Sequence, residues 1–252
     1  MDITALKERL SSCQKVLVGL GEEWRIKGDK EKEAEVRRAY DALYELLKDK
    51  DYFIVTMATD AVIFDTKLGS QTEQVVSADE VAQEHFSCSA DESMMAKMNE
   101  LFPPKEVPKD SRFQRIAAPC GNETWRQCSK GCRKDIWEAG EVPDDICPHC
   151  GAPLVGNTID ASPYIEEGYL PQWDRYLRWL SGTFNKDLLI LELGVGFSKP
   201  GVLRFPFEKT AFFNQKSILV RVNGTLAQIT EELAERAESI AEPSVAWIQK
   251  LW

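Results

Sequence analysis

Along its first third, the chain carries apolar residues in two kinds of run. KVLVGLG (15–21) and YFIVT (52–56) are short and almost wholly apolar, the pattern of strands covered on both faces. Between them, Ala34, Val36, Tyr40, Leu43, Tyr44 and Leu47 recur at roughly helical spacing among charges, which predicts an amphipathic helix from about Asp29 to Lys48. Residues 78–86 and 91–102 also read as helices. Asp91 would cap the second, Met94, Met95 and Met98 would supply its core face, and Pro103 and Pro104 would end it. FQRIAA (113–118) has the length and composition of a third strand.

The same alternation returns near the C-terminus. Trp173, Tyr176, Leu177, Leu180 and Phe184 form one helical stripe over 171–184. DLLILEL (187–193) then reads as a central parallel strand running into the turn GVGFSKPG. SILVRV (217–222) follows as the last predicted strand, and TLAQITEELAERAESI as a closing helix. Between the two halves, residues 119–156 have short connections, little periodicity and four closely spaced cysteines. The pattern predicts a doubly wound, Rossmann-like parallel α/β domain made from residues 1–118 and 157–252, interrupted by a small four-cysteine zinc-ribbon module over 119–156.

Composition narrows the functional classes. Hydrophobic residues make up 43% of the 252 and charged residues 29%, enough apolar material for a sizeable core. The 41 acidic side chains outnumber the 31 basic ones, leaving a formal charge of −10. Such a surface repels phosphate backbones and anionic lipid, so neither nucleic acid nor membrane is expected as a partner. Lys130, Arg133 and Lys134, with Trp125 and Trp137 nearby, are the local exception. The N-terminal MDITALKERLSSCQ is charged and amphipathic, unlike a secretory signal, and no apolar run reaches membrane-spanning length. With seven cysteines, an odd number, these features favour metal binding in a reducing cytoplasm over disulfides.

Cys128, Cys132, Cys147 and Cys150 stand as Cys-x3-Cys and Cys-x2-Cys, separated by fourteen residues. Each short pair places two sulfurs on one side of a cation and the second pair completes a tetrahedron, the ligand set of structural zinc. Four thiolates leave no open position for water, and His149, between two of them, is then a bystander. Gly151 permits the tight turn behind the second pair.

Two glycine turns fall where open α/β sheets bind ligands, outside the carboxyl ends of strands. They are Gly19-Leu20-Gly21 and Gly194-Val195-Gly196-Phe197-Ser198. Either one can bring backbone N–H groups to a pyrophosphate, and either can equally be a packing turn. Glu22 and Glu23, directly after the first, oppose phosphate there.

A sheet of this kind with a four-cysteine ribbon inserted before its last strands resembles the sirtuins. WRQCSKGC through CPHCGAPLVGNTI is similar to the family's zinc ribbon, LELGVGFSKP to its cofactor-contacting strand and turn, and Val222-Asn223 to its late Ile-Asn. LELGVGF…RFPFEK is especially like the macrodomain-linked microbial sirtuins, which transfer ADP-ribose to protein. The resemblance implies NAD as cofactor, contacted by Gly19, Gly21, Gly194, Gly196, Ser198 and Asn223, and a protein substrate or partner.

Departures from the family pattern cluster at the catalytic positions. The first turn lacks the family's serine. Met57-Ala58-Thr59-Asp60 stands in place of Gln-Asn-Ile-Asp, so the aspartate remains without the asparagine. Cys120-Gly121 takes the place of the His-Gly pair, and a cysteine near its free pKa is a poor base. Asp60 and Cys120 are thus the candidate catalytic residues. Asp60 can instead cap a strand end, Cys120 can be a small buried hydrophobe, and Asn223 can be a cap. The implied activity is protein ADP-ribosyl transfer or deacylation. The competing reading is a catalytically inactive sirtuin-like scaffold for protein contacts, and a crystal structure with Glu22 filling the cofactor cleft would favour it.

Overall fold

The computed structural model describes residues 3–26, 28–69 and 115–250. The helices expected over 78–86 and 91–102, with their methionines, lie outside these residues.

Helix α1 (Ile3–Ser12) leads into β1 (Lys15–Leu20). A single 3-10 turn, Glu22–Trp24, precedes α2 (Lys30–Leu47). Asp29 starts α2 by accepting the N–H groups of Glu31 and Lys32, and Val36, Ala39, Tyr40, Leu43 and Leu47 bury one face against the sheet. Ala34, counted in the expected stripe, is exposed. After β2 (Asp51–Thr56) and a 3-10 turn at Val62–Asp65, the short β3 (Ile116–Ala117) extends the sheet on one side.

The chain then leaves the sheet. β4 (Gly121–Cys128), β5 (Ile136–Glu138) and β6 (Leu154–Thr158) form a separate antiparallel sheet in the order β5-β4-β6. It returns through α3 (Leu170–Ser181), β7 (Leu188–Leu193), α4 (Arg204–Phe213), β8 (Ser217–Val222), β9 (Ala237–Ile240) and α5 (Ser244–Gln249). The main sheet is parallel throughout, in the order β3-β2-β1-β7-β8-β9. Chain order therefore reverses between β1 and β7, and that is where the carboxyl ends of such a sheet open a crevice.

Two apolar layers cover the sheet. Leu6, Trp24, Tyr40 and Trp247 belong to one, and Phe53, Tyr176, Phe207 and Leu203 to the other. The expected stripe on α3 is only half used, since Tyr176 is buried while Leu177 and Phe184 face outward. A charge sits inside this apolar frame. Glu192, on central strand β7, is fully buried beside its register partner Arg221 on β8. The Arg221 guanidinium donates to both Glu192 oxygens, at 2.6 and 2.9 Å, and to Glu208 at 2.8 Å. The pairing satisfies groups that would otherwise be costly to bury.

One expected element is corrected. TLAQITEELAERAESI is not a helix: it holds a 3-10 turn at Glu231–Arg236 and the edge strand β9, and the closing helix is α5. The carbonyls of Leu226 and Gln228 accept from Arg204, and that of Gln228 also from Arg221, so they are committed to buried guanidiniums rather than to helix bonds. Ala237–Ile240 meanwhile pairs in register with Leu219–Val222.

Candidate cofactor cleft and metal centre

The turn after β7 is held rigidly from behind. Gly194 takes a positive φ of 66° and donates its N–H to the Val222 carbonyl at 2.8 Å. The Val195 carbonyl accepts from both Arg204, at 3.2 Å, and the Asn223 side-chain amide, at 3.1 Å. Fixed this way, the turn directs the N–H groups of Gly196 and Ser198 toward the loop after β1.

The group they meet is Glu22. Its carboxylate accepts the Gly196 N–H at 2.6 Å, the Ser198 N–H at 3.3 Å and the Ser198 hydroxyl. Burial pushes the Glu22 carboxyl up, but the Ser198 hydroxyl and the turn's N–H groups outweigh it and hold the group below the usual carboxylate range. The next residue repeats the arrangement one strand further on. Glu23 accepts the Gly224 N–H at 3.0 Å and both the N–H and the hydroxyl of Ser244 at 2.6 Å. Carboxylates from the β1 loop thus occupy donors at the ends of β7, β8 and β9.

The first glycine pair is a packing device. A Cβ on Gly19 would lie 2.6 Å from the Phe207 ring, and one on Gly21 would lie 2.3 Å from the Gly194 carbonyl oxygen. The Gly21 N–H is spent on the Leu193 carbonyl at 2.9 Å.

Asp60 lies past the end of β2, where its two oxygens accept the N–H groups of Ile26, at 3.0 Å, and Val62, at 3.2 Å. Burial raises its carboxyl above the usual range, partly opposed by those N–H groups. Neighbouring Thr59 donates its hydroxyl to Glu123 at 2.6 Å, and Arg25 reaches Thr59 at 3.4 Å. No local sequence signal marks Arg25 and Glu123 as partners of Thr59, because only the fold brings 25, 59 and 123 together. Cys120 is 2% exposed, and burial pushes its thiol up to about 11 despite Lys199 and Arg25 nearby. Lys199 is itself 3.6 Å from Asp160. Asn223 spends its side-chain oxygen on the N–H groups of Thr225, at 2.9 Å, and Leu226, at 2.8 Å. Gly194, Gly196, Ser198 and Asn223 therefore come together around one turn, Cys120 is a buried thiol, and Asp60 serves as a backbone cap.

The four cysteines converge at the far end of the antiparallel sheet. Their Sγ atoms all lie within 4.8 Å of one another, with Cys128–Cys150 at 3.5 Å and Cys132–Cys147 at 3.6 Å. A tetrahedral zinc with Zn–S bonds of about 2.3 Å needs sulfurs about 3.8 Å apart, so the set fits that ion. The backbone N–H groups of Cys132 and Lys130 draw the Cys128 thiol down toward thiolate. Gly131 and Gly151 take the positive φ values, 56° and 70°, that these knuckles require. His149 points away, to Asp135 at 2.7 Å. Lys134 of the ribbon's basic edge is paired with Glu167.

This architecture, a parallel sheet in 3-2-1-4-5-6 order with a four-cysteine ribbon between its halves, is the sirtuin fold, and the chain is a divergent example of it. It is similar to a mutant Sir2 homologue in complex with ADP-ribose, with a TM-score of 0.52 and 12% identity over 100% of this chain and 95% of that one. It is likewise similar to Sir2Tm bound to a propionylated peptide, with a TM-score of 0.53 and 10% identity over 100% and 97% of the two chains. In sequence, a protein ADP-ribosyltransferase of Staphylococcus aureus is 28% identical over 140 residues, 48% of this chain and 44% of that one. The chain spans less than half the length of the curated relatives it matches. No protein-family model matches it. Among the described residues, no helix is long and apolar enough to cross a membrane.

Proposed function

We propose that the chain is a sirtuin-like protein that binds NAD or ADP-ribose at the strand ends around Gly194–Ser198, on a fold braced by one structural zinc. A single observation carries the reading. At the point where strand order reverses, a rigid turn aims two N–H groups and a hydroxyl at one anionic group. The fold likeness to a Sir2 homologue complexed with ADP-ribose supports the choice of ligand. Zinc, held by Cys128, Cys132, Cys147 and Cys150, would close the ribbon as a cross-link without taking part in the reaction.

Of the two group-transfer chemistries, ADP-ribosyl transfer to a protein fits the residues better than deacylation. Deacylation in this family needs a base at the position of Cys120, and a thiol raised to about 11 keeps its proton at neutral pH. The name of the Staphylococcus aureus relative points the same way. A protein substrate is the corresponding partner, and the neighbour bound to a propionylated peptide is consistent with one.

One observation favours a second reading, that of an inactive scaffold for protein contacts. Glu22, Asp60 and Asn223 all direct their polar atoms at the chain's own backbone. Calorimetry with NAD and ADP-ribose, together with an assay for nicotinamide release, separates the two. Binding with release supports a transferase, and binding without release supports a silent nucleotide-binding scaffold. The absence of heat and of thermal shift at millimolar ligand eliminates the nucleotide reading.

A further inference from the structure

Any ligand phosphate that approaches the Gly194–Ser198 turn meets a site already taken. The Glu22 carboxylate lies on the Gly196 N–H at 2.6 Å and the Ser198 N–H at 3.3 Å, and also accepts from the Ser198 hydroxyl. The approach is close enough that a Cβ on Gly196 would meet both Glu22 oxygens at 3.3 Å. A bound phosphate would use these same donors, since it too is an oxyanion satisfied by convergent N–H and O–H groups.

The turn cannot easily shift to offer donors elsewhere. Arg204 and Asn223 both hold the Val195 carbonyl, and Arg204 is itself fixed by the carbonyls of Leu226 and Gln228. Glu22 has less support. Its backbone belongs to one 3-10 turn, its side chain is partly exposed, and beyond this turn its carboxylate is held, among the described residues, by its own backbone N–H. The movable partner is therefore the glutamate.

We propose that Glu22 is a built-in occupant of the phosphate position, a specificity-determining residue that a phosphate-bearing ligand must displace before it can bind. This rests on the reading of the cleft as an NAD or ADP-ribose site but makes a separate claim about the cradle. Glu22 discriminates against phosphate in two ways. It competes for the three donors, and its own charge repels the incoming anion until it swings into solvent. Ligands lacking phosphate at this position incur neither penalty.

The test uses the full chain and three forms of it: wild type, Glu22→Ala and Glu22→Gln. Inorganic pyrophosphate and ADP-ribose are titrated into each by calorimetry, with thermal melts to establish that the variants fold. The expected result is pyrophosphate binding at least about tenfold tighter in Glu22→Ala than in wild type, with Glu22→Gln between them, since three charge-assisted bonds no longer compete. Adding Ser198→Ala to Glu22→Ala should shrink the gain, because it removes the hydroxyl and leaves the two backbone N–H groups. If Glu22→Ala does not fold, the Gln variant alone must still exceed wild type.

Equal pyrophosphate affinity in wild type and variants, or no pyrophosphate binding to any folded form, overturns the proposal, as does a gain that Ser198→Ala leaves undiminished. If ADP-ribose binds wild type and Glu22→Ala equally well, the gate fails while the cofactor reading stands. If pyrophosphate gains on removal of Glu22 but ADP-ribose binds no form, the gate stands and the cofactor reading fails.

Discussion

Glu23 reaches 221 residues along the chain to Ser244, accepting its backbone N–H and its hydroxyl on one carboxylate oxygen at 2.6 Å each. The same hydroxyl accepts from the fully buried Trp24 indole N–H at 3.1 Å. The contact fastens the loop after β1 to the start of α5, across the open end of the sheet. Glu23→Ala should lower stability by about 2 kcal/mol, the usual range for hydrogen bonds to a charged group. Ser244→Ala should cost a similar amount, because it also strands the indole N–H. The double variant should lose less than the sum. Urea midpoints with an unchanged slope measure all three.

Gly21 tests whether the first glycine turn is built for packing. A Cβ there would meet backbone atoms of Gly194 and Val195 at 2.3 Å, with no flexible side chain to give way. Gly21→Ala should destabilise by about 1–3 kcal/mol or more through overpacking. Gly156→Ala is the control, since a Cβ there meets nothing within 4 Å and Gly156 is not among the positive-φ glycines. A melting temperature for Gly21→Ala equal to wild type would contradict the packing account.

Cys120 sets a pH dependence. Burial raises its thiol from 9.0 to about 11 in the folded chain. A raised thiol favours the folded state while neutral, so its contribution is complete below about pH 9 and is lost as pH rises toward 11. A shift of that size is worth about 2–3 kcal/mol at most. Stability should fall between pH 9 and 11, and Cys120→Ala should flatten that fall. At pH 8 the thiolate fraction is about a hundredfold below that of a free thiol, so Cys120 should resist alkylation until the chain unfolds. Mass spectrometry after iodoacetamide treatment reads this directly.

The cysteine cluster predicts a stoichiometry. Purified chain should carry one zinc per molecule by elemental analysis. Cys128→Ser or Cys147→Ser, each removing a buried ligand, should release it. Chelation should lower the melting temperature and open residues 129–150 to protease, because the small antiparallel sheet has only a minor core of its own, around Ala152 and Leu154. Metal content far below one per chain in protein purified without chelator would remove the zinc assignment.

Much of the scaffold was legible in one dimension because burial on both faces leaves a local record. The runs 15–21, 52–56, 187–193 and 217–222 are apolar enough to name as strands, and Asp29 marks the start of α2 through its own side chain. The cysteine spacing was legible for a different local reason, since two short pairs must each bend around one point. The segment 225–240 was misread because its helical spacing is a local signal. Its actual course depends on Arg204 and Arg221, which take its carbonyls from elsewhere in the chain.

The candidate site divides along the same line. The resemblance to the sirtuins, which is carried by sequence alone, implies that Ala58 and Cys120 stand where that family has Asn and His. The sequence also placed two acidic residues beside the first glycine turn. Tertiary structure alone determined what those carboxylates do, bringing Glu22 to Ser198 and Glu23 to Ser244 across 176 and 221 residues. The physical reason is that a strand's identity follows from its own side chains. The partner of a hydrogen-bonding group at a strand's end depends on which other strands the fold sets beside it.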